Sequence, residues 1–322
     1  MLHHNHKGDS DMNKETLVLA HYYVEQATQK RADIVGDSLE LAMKAVELQP
    51  ERIVFAGVRF MSETVKMMLP NTEVILPHKD STCSLVTQTD VDALRSWRER
   101  WTYNSDRPSV HIMYINSSAE MKTIADVIVT SRNVEEICQH YADKGWRILF
   151  SPDRNMGAYL KYIHPEWEIE VWDAVCEVHD KFKEEEINAV MNKWSDGPKF
   201  LLAHPESPLP VLKRADVVGS TSKMLQWVKD YPINPNTRAQ VYVATEEGLL
   251  HNMRALRDDI DILGAPMYNG CQCSVCPYMK LNTPELVQQA ILGTAGIKID
   301  YMSDELMKQA RKPVEKMMEF NK

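Results

Sequence analysis

Three of the six cysteines, Cys83, Cys176 and Cys276, recur at intervals of 93 and 100 residues. Each follows a short apolar run: Val74-Ile75-Leu76, Ile169-Glu170-Val171 and Ile260-Asp261-Ile262-Leu263. Thiols at equivalent places in repeated units can meet at one point, and three thiolates suit a soft metal centre. A 4Fe-4S cluster normally takes four cysteines, so three leave one iron with an exchangeable position, able to act as a Lewis acid. Dehydration follows from such a centre more naturally than electron transfer. Six cysteines in a 322-residue chain with no secretion signal do not suggest a disulfide framework. Cys271, Cys273 and Cys276 form C-x-C-x-x-C before Pro277, a tract that read locally suits a zinc knuckle, a redox dithiol or a cluster loop. The position after the fourth run of its unit, and the following proline, favour Cys276 as the ligand. Cys138, at helical spacing with Ile137 and Tyr141, reads as a buried small hydrophobe.

The elements that must gather these residues are themselves repeated. Ala32-Asp33-Ile34-Val35-Gly36-Asp37-Ser38 is matched by Ala125-Asp126-Val127-Ile128-Val129-Thr130-Ser131 and by Ala215-Asp216-Val217-Val218-Gly219-Ser220-Thr221. Upstream of each copy an apolar run (17–20, 111–115, 200–203) leads to His21, Asn116 and His204; downstream lies a third run (53–57, 148–152, 241–245). Brief apolar runs separated by helix-length amphipathic stretches (39–48, 62–69, 134–141, 247–258) are the pattern of buried parallel strands with crossover helices. The expected fold is α/β: three similar αβα units, each a doubly wound four-stranded parallel sheet, related by pseudo-threefold symmetry around a central cluster. Residues 1–96, 97–180 and 181–278 form the units, and terminal helices at 286–292 and 304–318, within 279–322 and grouped with the first unit, pack back on the body. Ligands in such sheets bind beyond the carboxyl ends of the strands. His21, Ser38, Asn116, Ser131, His204, Thr221 and the three cysteines fall at such positions.

A formal charge of -9 leaves no basic face for nucleic acid or an anionic membrane. Any anionic substrate must then be captured by local dipoles. No apolar run is long enough to span a bilayer and no signal-like segment opens the chain, so a cytoplasmic location is expected. His3, His4 and His6 in the polar opening stretch read as a frayed tail rather than a metal site.

Ordered motifs then carry a resemblance. They include Ala20-His21-Tyr22-Tyr23, Gly36-Asp37-Ser38-Leu39-Glu40, Phe60-Met61-Ser62-Glu63-Thr64, Cys83-Ser84-Leu85 and Tyr114-Ile115-Asn116-Ser117-Ser118-Ala119-Glu120. Further along stand Pro152-Asp153-Arg154-Asn155-Met156-Gly157, Cys176-Glu177-Val178-His179, Ala203-His204-Pro205-Glu206, Thr245-Glu246-Glu247-Gly248 and Cys276-Pro277-Tyr278-Met279-Lys280. Over nearly its whole length the chain resembles the quinolinate synthase family. The resemblance implies condensation of iminoaspartate with dihydroxyacetone phosphate to quinolinate, with loss of phosphate and two waters, as a step in making NAD. It implies one 4Fe-4S cluster on Cys83, Cys176 and Cys276 and an acid–base group of His21, Tyr23 and Glu206. Ser38, Tyr114, Asn116, Ser131, His179, His204, Ser220 and Thr221 would hold the carboxylates and phosphate. A partnership with the enzyme that supplies iminoaspartate is left open.

Taken singly, a serine after a strand is an ordinary N-cap and a histidine ending a strand is an ordinary structural residue. The chain departs from the family's pattern at Ser207, where cysteine is usual, at Arg132, where a small polar residue is common, and in the glycine-free stretch before Cys83. Two other readings compete: a hydro-lyase with an open-iron cluster, and a non-enzymatic metal scaffold or electron carrier.

Overall fold

Continuous aliphatic stretches such as Leu-Val-Leu-Ala at 17–20 and Ile-Val-Phe-Ala at 53–56 form strands buried on both faces, as parallel sheets covered by helices require. The computed structural model describes residues 16–103, 105–194, 197–232, 237–267 and 274–320. Strands β1 (Thr16–His21), β2 (Ile34–Gly36), β3 (Arg52–Ala56) and β4 (Glu73–Leu76) form the first sheet. Strands β5 (Ser109–Tyr114), β6 (Val127–Val129), β7 (Arg147–Ser151) and β8 (Ile169–Val171) form the second. Strands β9 (Lys199–Ala203), β10 (Val217–Val218), β11 (Gln240–Ala244) and β12 (Asp261–Gly264) form the third.

All three sheets have the same parallel order: β2-β1-β3-β4, β6-β5-β7-β8 and β10-β9-β11-β12. This is the doubly wound order, with its crevice where the winding reverses at the first strand. The first sheet departs from the expected four strands. A fifth, β13 (Ile297–Lys298), pairs antiparallel with β4, Ile297 opposite Leu76. Gly293 and Gly296, at φ 74° and 93°, turn the chain after helix Pro284–Ile291 onto that edge. The edge of β4 is thereby covered.

Helices Ser38–Leu48, Arg59–Met68 and Val134–Ala142 occupy the expected stretches, whereas the stretch 247–258 splits into a 3₁₀ turn, Glu247–Leu249, and a helix, Leu250–Leu256. The Glu246 carboxylate accepts from Gly248 N at 2.6 Å, which tightens that first turn. Short helices Gln26–Gln29, Ala119–Lys122 and Leu209–Arg214 follow the first strand of each sheet.

The first two sheets and the terminal helices share one apolar core, in which Cys138 is fully buried. Helix Asp304–Glu319 seals it by lying against β6, Ala119–Lys122 and Arg59–Met68. The third sheet keeps its own core on each face, around Leu201 and Tyr242 on one side and Leu202 and Val241 on the other. Among the described residues no helix is long and apolar enough to cross a membrane.

Candidate active site

The carboxyl ends of all three sheets open onto one cavity. His21, Tyr23, Ser38, Tyr114, Asn116, Ser131, His179, His204, Glu206, Thr221 and the cysteines Cys83, Cys176 and Cys276 line it. Ser220 does not; its hydroxyl caps helix Thr221–Asp230 by accepting from Lys223 N, and it lines a neighbouring groove. None of the described residues lining the cavity is lysine or arginine.

Each cysteine is placed by the loop after the fourth strand of its sheet. Cys83 precedes the short helix Ser84–Thr87, and Cys276 the short helix Pro277–Lys280. The loops of Cys83 and Cys176 are stitched together. Ser84 Oγ donates to Val175 O at 3.2 Å and accepts from Glu177 N at 3.0 Å, while Gln88 bonds both the N–H and the carbonyl of Val175. The loop of Cys276 is tied to the end of β11: Cys276 N donates to Glu246 Oε1 at 3.2 Å and Ser274 Oγ to Thr245 O at 2.6 Å. Cys271 and Cys273 lie outside the described residues. Burial raises the pKa of all three lining thiols, reinforced by Glu206 for Cys83 and Cys176 and by Glu246 for Cys276. Backbone N–H groups nevertheless point at each sulfur. Three free, mutually repelling thiols with N–H donors in one buried cavity suit a cationic iron-sulfur group, which would offset the cost of their ionisation.

Glu206 is the hub of the polar groups. Asn116 Nδ2 lies 3.1 Å from its Oε1, His179 Nδ1 2.8 Å from its Oε2, and the Tyr114 hydroxyl donates to the same carboxylate. Burial alone would raise its pKa, but His179, His204 and the Tyr114 hydroxyl hold the carboxyl well below its usual range. His179 Nδ1 also lies 3.2 Å from Cys176 Sγ, so these three residues form a group that could hold a lone metal ion. Their hydrogen bonds already account for the clustering.

On its far side His179 Nε2 meets Thr245 Oγ1 at 3.0 Å, and Thr245 Oγ1 meets the Tyr23 hydroxyl at 2.8 Å. A continuous hydrogen-bonded path thus joins Tyr23 to Glu206. Burial pushes the Tyr23 phenol well up, so it stays protonated. Burial lowers His21 to about 4 and His204 to about 3, so both are neutral near pH 7. His21 Nδ1 accepts from Tyr23 N at 3.1 Å, which leaves the ring proton on Nε2.

Sequence reasoning did not assign Thr245, Glu246 or Asp37 to the site. Glu246 is fully buried, ion-paired with Lys280 at 2.9 Å, and fixes the loop of Cys276. Asp37, lining the cavity, receives Ser222 Oγ at 2.5 Å and Arg132 Nη2 at 3.3 Å, so one carboxylate joins all three lobes. The repeat gave no signal for Thr245 or Glu246, because the matching positions hold Gly57-Val58 and Pro152-Asp153.

Three doubly wound lobes bring thiols, a carboxylate and imidazoles to one buried cavity, the arrangement of an enzyme site. The chain matches the family model described as Quinolinate synthetase A protein over residues 8–319. It is 37% identical over 309 residues to a quinolinate synthase of Chloroherpeton thalassium, covering 95% of this chain and 90% of that protein. Against those of Nostoc punctiforme and Ehrlichia chaffeensis the identity is 35% in each case, over 95% of this chain and 89% and 93% of theirs. The chain belongs to the quinolinate synthetase A family.

Proposed function

We propose that the chain condenses iminoaspartate with dihydroxyacetone phosphate to quinolinate, releasing phosphate and two waters, and so serves NAD synthesis. The observation that carries the reading is the hydrogen-bonded path from Tyr23 through Thr245 and His179 to Glu206, lying in the cavity that the three thiols line. A condensation that eliminates phosphate and water must move protons between several atoms of one bound pair of substrates. Glu206, held as carboxylate, takes protons; Tyr23, held as phenol, gives them; the path between returns both to their starting states. Neutral His21 offers its Nε2 proton, and neutral His204 adds a second imidazole beside Glu206. Ser38, Ser131, Thr221 and the Asn116 amide supply neutral dipoles for carboxylate and phosphate, which suits a cavity with no lysine or arginine among its described lining residues. Ser220, by capping its helix, orders the segment that presents Thr221.

Cys83, Cys176 and Cys276 would hold one 4Fe-4S cluster. When bound it supplies a Lewis acid with one exchangeable position. The test is an anaerobic assay of the iron-loaded protein with both substrates, reading quinolinate. Product formed in stoichiometric excess over enzyme is the expected result; full cluster occupancy with no product sinks the reading.

A further inference from the structure

Lys122 is fully buried, yet nothing in the proposed chemistry uses its charge. It closes the short helix Ala119–Lys122, and its Nζ turns back to donate to Ile115 O at 3.0 Å and to Ser117 O, with Ser117 Oγ at 3.2 Å. The two carbonyls flank Asn116, whose amide reaches in the other direction to Glu206. Three acceptors satisfy the three donors of an ammonium group. The Phe60 ring, which lines the cavity, lies 5.5 Å from Nζ, and Glu63 holds the start of the same helix by accepting from Ala119 N at 2.9 Å. Burying a cation costs stability that an apolar side chain of similar volume would not.

The other lobes hold their site loops in a related way with different chemistry. Gln29 closes helix Gln26–Gln29, is buried, and its Nε2 donates to Tyr22 O at 2.8 Å and Val24 O at 3.1 Å, the carbonyls flanking Tyr23. For the third lobe, Asn155 Nδ2 donates to Glu206 O at 3.0 Å.

We propose that Lys122 is a positioning residue: by clamping the carbonyls of Ile115 and Ser117 from behind, it fixes the direction in which Asn116 presents its amide to Glu206 and to an anionic substrate. This rests on the reading of the cavity as the active site. The test is a double-mutant cycle in the full, cluster-loaded chain, combined with hydrogen exchange. Lys122→Met lowers kcat/KM by about 10²-fold, the cost of a displaced site group. In an Asn116→Ala background the same change has no further effect. Lys122→Gln, able to bridge two carbonyls as Gln29 does, stays within about tenfold of wild type. Amide exchange over 114–118 rises in Lys122→Met and returns towards the wild-type level in Lys122→Gln. If Lys122→Met does not fold, Lys122→Leu goes through the same cycle. Independent losses in the cycle, or unchanged exchange over 114–118, overturn the proposal. A wild-type chain with intact cluster and no turnover removes the functional reading instead, and exchange over 114–118 then decides the clamp alone.

Discussion

Glu206 receives three donors in a site where an unpaired carboxylate would be strongly disfavoured, so its removal should affect chemistry more than folding. Glu206→Gln is expected to lower kcat by about 10²-fold or more with cluster absorbance retained. Serine at Cys83, Cys176 or Cys276 should instead remove iron, measured by colorimetric assay, while Cys138→Ala keeps it. His111 offers a pH test far from the thiols. Burial lowers it to about 3, and its Nδ1 and Nε2 meet Ile124 O and Ser151 Oγ, a pairing that suits the neutral ring. The unfolded chain takes up a proton below about 6.5 where the folded one does not. Stability is therefore lost as pH falls through 6.5 towards 3, by about 1.4 kcal/mol per unit from this residue. Between pH 7 and 5, His111→Gln should lose about 2 kcal/mol less than wild type in urea unfolding; equal losses would mean that His111 titrates alike in the folded and unfolded chain. The cysteines and strand-end polar residues were legible because repetition gave each an equivalent. Thr245 was not: its partner Tyr23 lies 222 residues away, and only tertiary packing brings a hydroxyl between it and His179.

Strands were legible where both faces are buried, since parallel pairing then demands unbroken aliphatic runs. β13 was not, because two residues carry no periodicity and its pairing depends on the preceding turn. The short helices after β1, β5 and β9 escaped for the same reason, although they carry the clamps of the first two site loops. Helix–sheet contact is close at Gly157, where a Cβ would stand 2.5 Å from Val171 Cγ1. Gly157→Ala should therefore destabilise by about 1–3 kcal/mol, despite the better helix propensity of alanine, because β8 must give way. Chemical denaturation checks this; a stabilised variant would show that helix Arg154–Ile163 shifts freely.

At the scale of the whole molecule the repeat suggests three equal lobes, but the packing is unequal. The first two share a core, and the third keeps separate cores of its own, touched at their edges by Tyr22, Tyr23 and Tyr159. Native-state hydrogen exchange should find that β9–β12 open together at a lower free energy than β1, β3, β5 and β7. A single protection level throughout would contradict this. The bridge of Asp37 with Arg132 and Ser222 adds little to that difference: Arg132 is 43% exposed, and such pairs contribute about 0–1 kcal/mol. Arg132→Ser should leave the melting temperature within a few degrees. The fifth strand has a different consequence, for biogenesis. The sheet begun by Thr16 is finished by Lys298, so the first lobe to leave the ribosome is the last to be closed. Until Ile297 is made the edge of β4 is bare. Cys276, the last of the three thiols, comes shortly before it, so Cys83 must stay reduced and unpaired through more than half of the chain's synthesis and Cys176 through about a third.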